Sequence, residues 1–85
     1  DQVLVRVKEL EKAAVQANAA GALDTANTRI IMEYALAAGM VLDRTPSGWQ
    51  ATVKALWTTA APKITTTNPT VQLAVTALTG LLSSL

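Results

Sequence analysis

The stretch DTANTRIIMEYALAAGMVL, from Asp24 to Leu42, constrains the fold more than any other part of the chain. At about 100° per residue, Ala26, Ile30, Tyr34, Ala37 and Val41 share a main face. Ile31, Ala35, Ala38 and Leu42 form a second face beside it, and Leu36 and Met40 lie on a third side. Only Arg29 and Glu33 interrupt this apolar surface with charge. A helix apolar nearly all round is expected to be buried on several sides. Asp24 or Thr25 is placed to cap its start, because a short side-chain oxygen accepts an orphan amide of the first turn. Asp43 would oppose the C-terminal helix dipole, which puts the expected end near Leu42. The competing reading is a membrane span. It would leave Arg29 and Glu33 in or near hydrocarbon, and the apolar run after Glu33 falls short of the roughly 20 residues a span needs. A core helix is therefore the preferred reading.

The preceding segment, DQVLVRVKELEKAAVQANAAG, carries a second helical pattern. Val3, Val7, Leu10, Ala14 and Ala17 recur in the alternating four-and-three spacing of a heptad seam, with Lys8, Glu9 and Lys12 opposite. Asp1 is expected to cap this helix and Gly21 to stop it. Val3, Val5 and Val7 also alternate as in a strand, but no second strand is available to pair with them. The short link Gly21-Ala22-Leu23 predicts an antiparallel neighbour, with a continuous helix kinked at Gly21 as the alternative.

Two further helices announce themselves by a cap followed by proline. Thr45-Pro46 is expected to open a third helix running to about Ala61. Its narrow apolar face is Trp49, Val53, Leu56 and Ala60, with Trp57 beside it and Lys54 and Thr58 opposite. Pro62 should end it. Lys63 to Thr67 reads as a β-branched connector. Asn68-Pro69 then opens the last helix, whose expected face is Val71, Val75, Leu78, Leu82 and Leu85. The expectation is a single all-α domain over residues 1–85: a compact four-helix bundle, with helices at approximately 2–20, 25–42, 46–61 and 69–84 joined by short connections.

Composition bears on function mainly by exclusion. The chain has no Cys and no His, so disulfide, thiolate, imidazole and most zinc chemistry is closed to it. Its four glycines, Gly21, Gly39, Gly48 and Gly80, are isolated and build no phosphate cradle. Glu33 has a ready ion-pair partner in Arg29 one turn earlier, and Glu9 and Glu11 lie among Lys8 and Lys12, so no pair of convergent carboxylates is indicated. Met32 and Met40 read as gap fillers. The expected inventory is thus no catalytic residue, no metal ligand and no cofactor; the chain is read as not an enzyme. A net charge of +1 provides no field for nucleic acid.

What remains points to interaction. Hydrophobic residues make up 51% of the chain and charged ones 15%, a surplus that a domain of 85 residues has difficulty hiding alone. Every carboxylate side chain lies at or before Asp43, and beyond Arg44 only Lys54 and Lys63 are charged. Val5 falls outside the seam of the first helix and Leu73 outside the face of the last. Trp49 is expected to fill the core with Trp57 covering its edge; the alternative makes Trp57 an exposed anchor, since aromatics concentrate in binding hot spots. Val5, Trp57 and Leu73 are the candidate interaction surface. The expected function is a non-enzymatic structural or protein-interaction module, self-associating or binding a protein partner through leftover apolar helix surface. The alternative is a peripheral membrane protein using the uncharged last helix and the tryptophans, although interfacial helices usually carry Lys or Arg. A start at Asp1 rather than Met permits an exported or processed protein and leaves the compartment open.

Overall fold

The computed structural model describes residues 2–44 and 47–85. Among them run four helices: α1 (Gln2–Ala19), α2 (Thr25–Arg44), α3 (Trp49–Ala60) and α4 (Pro69–Ser83), with a 3₁₀ turn at Ala61–Lys63. The expected all-α four-helix bundle is the architecture observed. Asp1, Thr45 and Pro46, expected to cap or open helices, lie outside the described residues.

The seam of α1 is buried at all five expected positions, Val3, Val7, Leu10, Ala14 and Ala17, and Ala13 joins them. The helix stops because Gly21 adopts a left-handed φ of 74°, a conformation that costs a side-chain-bearing residue strain. The Gly21 amide donates to Asn18 O at 3.0 Å and the Ala22 amide to Ala17 O at 2.8 Å. This paired closure satisfies carbonyls of the last turn and removes the alternative of one long kinked helix. Asn18 Nδ2 donates to Leu23 O at 3.0 Å, fixing the turn that inserts Leu23 into the core.

Asp24 caps α2: its Oδ1 accepts the Asn27 amide at 2.7 Å and Asn27 Nδ2 at 2.9 Å. These bonds, the backbone one first, hold the Asp24 carboxyl below its ordinary pKa. The helix continues to Arg44, two residues beyond the expected end. Arg44 occupies the same last turn as Asp43 and supplies the cation the dipole favours there. The buried stripe is Asn27, Ile31, Tyr34, Ala35 and Ala38. The helix is therefore rotated toward what was expected to be its second face. Ala26 is exposed, and Ile30, Ala37 and Val41 are half-buried. The expectation of burial on several sides fails as well, because Leu36 and Met40 stand in solvent.

The third helix starts at Trp49, three residues later than expected. Gly48 precedes it with φ 74° and no side-chain cap, and a left-handed residue cannot sit inside a right-handed helix. Its interior residues are Val53 and Trp57, with Trp49, Leu56 and Ala60 half-buried. Ala60 leads into the 3₁₀ turn that contains Pro62, as proline's missing donor requires. In the connector, Thr65 donates its amide to Asn27 Oδ1 at 2.7 Å. The Val71 amide donates to Asn68 Oδ1 at 3.1 Å, and Pro69 follows the cap as expected. Val71, Leu78 and Leu82 are buried, whereas Leu85, expected on the same face, is exposed beyond the helix end.

α1 packs against both α2 and α4, and α3 packs against α2 and more sparsely against α4. Each helix therefore has two principal neighbours and one outward side. That outward side is where apolar residues with no place in the core must go.

Candidate interaction surface

Leu73 is the most exposed large apolar residue of α4, at 72% of its full accessibility. It projects from the side opposite Val71, Leu78 and Leu82. Thr76, Ala77 and Gly80, spaced three and four residues along the same side, are also exposed. α4 carries no charged side chain over its whole length, so this outward side is apolar or hydroxylic and presents little bulk around Leu73.

Val5 is exposed on α1, at 51%. Its surroundings differ, because Lys8, Lys12 and Val15 follow it at spacings of three, four and three, and all are exposed. Two ammonium groups thus divide the apolar positions on the back of α1. Trp57 corrects the expectation most directly. It is 4% exposed, so it sits inside the bundle and shares no surface with Val5 or Leu73, while Trp49 takes the half-buried place. The indole Nε1 donates to Thr79 Oγ1 at 2.9 Å, and that hydroxyl donates to Val75 O at 2.8 Å. An indole supplies one donor and no acceptor, so Trp57 is satisfied within the fold.

Two further features of the surface lie outside the candidate set Val5, Trp57 and Leu73. Leu36, 67% exposed, and Met40 lie one turn apart on the outer side of α2; their place on a third helical side was the available signal. Between α2 and α3 runs an open groove of about 410 Å³, lined chiefly by Ile30, Tyr34 and Ala37 of α2 and Leu56 and Ala60 of α3. Glu33 and Lys63 stand at its edge. The expected Arg29–Glu33 pair is absent; among the described residues the one ion pair is Arg6–Glu9 at 3.0 Å, between exposed side chains, where such pairs contribute little. Tyr34 borders the groove with its hydroxyl closed to solvent and without a hydrogen-bond partner among the described residues. Burial pushes its pKa up to about 12.

Among the described residues no three acidic side chains gather as metal ligands would, and no helix is long and apolar enough to cross a membrane. The accessible surface of 5104 Å² is close to the about 4800 Å² typical of a folded monomer of this mass. The exposed leucines are therefore not symptoms of an open fold. No protein-family model, curated protein or solved structure matches the chain.

Proposed function

We propose that this chain is a non-enzymatic helical interaction module that self-associates through apolar helix surface outside its core. The observation that carries the reading is Leu73, which projects from a helix without a single charge. Charged groups on the outer side of a surface helix keep like molecules apart; α4 has none, and its neighbours Ala77 and Gly80 leave room for another side chain to approach. Removing a leucine from water contributes about 1.5–3 kcal/mol. One helix face falls short of the roughly 1,200–2,000 Å² buried by a stable specific interface, so the association belongs at micromolar concentration or weaker.

Light scattering over a dilution series tests the proposal. The expected result is a mass that rises above 8.9 kDa with concentration and changes little with added salt, because apolar contact is not screened. A monomer mass at every concentration overturns it. The same uncharged helix is what supports a membrane-surface reading, but Trp57, one of the two aromatics invoked for it, is interior. Sedimentation with liposomes distinguishes the two readings: self-association leaves the protein in the supernatant, and a membrane role brings it down.

A further inference from the structure

No further inference is drawn: the strongest candidate, the open apolar groove between α2 and α3 over Ile30, Ala37 and Leu56, carries nothing because the unpartnered Tyr34 hydroxyl beside it is closed to solvent and nothing in the structure shows what covers the groove.

Discussion

The rings of Tyr34 and Trp57 meet with their centroids 4.8 Å apart and their planes tilted by 58°. This is the favourable range for an aromatic pair, and it joins α2 to α3. The same indole reaches Thr79 on α4 through Nε1. One side chain therefore ties three helices, including the sparsely packed pair α3 and α4. Its partner Tyr34 contributes a ring to this junction, and its hydroxyl has no hydrogen-bond partner among the described residues.

Trp57→Ala is expected to cost about 3–5 kcal/mol through the cavity it leaves. That is a large share of the roughly 5–15 kcal/mol that keeps a domain folded. The cooperative thermal transition followed by circular dichroism should collapse or disappear. Trp57→Phe keeps a ring beside Tyr34 but loses the donor to Thr79 and part of the indole's buried volume; about 1–3 kcal/mol is expected, less than for alanine. Equal damage from the two substitutions would show that what both lose, the indole N–H and the volume beyond a single ring, holds the junction rather than the ring contact with Tyr34.

Tyr34→Phe should behave in the opposite way. An unpaired buried hydroxyl carries a desolvation cost of about 1–3 kcal/mol, so the phenylalanine variant is expected to be as stable as the parent or more so. The raised pKa gives a second signature. Below the ordinary value of 10.0, phenol is neutral in both folded and unfolded chains and contributes no pH dependence. Between 10.0 and about 12 the unfolded chain ionises first, binds fewer protons than the folded one, and stability falls as pH rises. The phenylalanine variant lacks that component. Tyr34 is the chain's one tyrosine, so tyrosinate absorbance reads its titration directly; a midpoint near 10 would place the ring in solvent.

The sequence was legible where one pattern had one solution. The α1 seam alternates apolar and polar sides cleanly, and all five of its expected positions are buried. Asn68-Pro69 names its helix start through a side-chain acceptor and a fixed φ, and both appear. α2 was harder because apolar residues surround it; periodicity can identify such a helix without saying which side its neighbours take. The Trp49 and Trp57 assignments reversed for a related reason. Both lie near one apolar stripe, and α4 determines which is covered, through Thr79. As for the candidate surface, exposure of Val5 and Leu73 could be read from their position off the buried faces, whereas the interior place of Trp57 could not.

The rotation of α2 is measurable with adjacent residues of the same type. Ile31 is fully buried and Ile30 half-buried at the groove. Ile31→Ala is expected to cost about 2–5 kcal/mol, the range for a large-to-small change in a core. Ile30→Ala should cost well under half of that, since its site is already open to water. Chemical denaturation of both variants compares them, and a larger loss at Ile30 would restore the main face expected from the sequence.

Among the described residues Asn27 is the one buried polar side chain, 6% exposed, and three hydrogen bonds at this residue join the α2 cap to the connector before α4. Asn27→Ala strands the Thr65 amide in a partly buried place, at an expected cost of about 1–3 kcal/mol. Hydrogen exchange should accelerate at Thr65 more than at Val71, whose amide is held by Asn68. The acid limb adds a further check. Because the Asp24 pKa is lowered, its contribution is present above the ordinary value of 3.8 and lost as pH falls through the folded value. Asp24→Asn retains an acceptor oxygen without titrating, so its melting temperature should fall less steeply in acid than that of the parent.

The proposed contact can be located by comparing Leu73 with Val5. Leu73 stands in uncharged surroundings, whereas Val5 shares its helix side with Lys8 and Lys12. A lysine placed at 73 would put an ammonium group into apolar contact on every copy, which must be desolvated or left facing its own kind. Leu73→Lys is therefore expected to weaken self-association at least about tenfold, equivalent to about 1.4 kcal/mol. Val5→Lys adds a third ammonium where two already lie and should change assembly little. Both residues are exposed, so both variants should retain the helical circular-dichroism signal and melting temperature of the parent, separating loss of contact from loss of fold. Sedimentation equilibrium on the parent and both variants gives the comparison. Weakening by Val5→Lys but not by Leu73→Lys would move the contact to α1, and assembly unchanged in both would remove α4 as the associating surface.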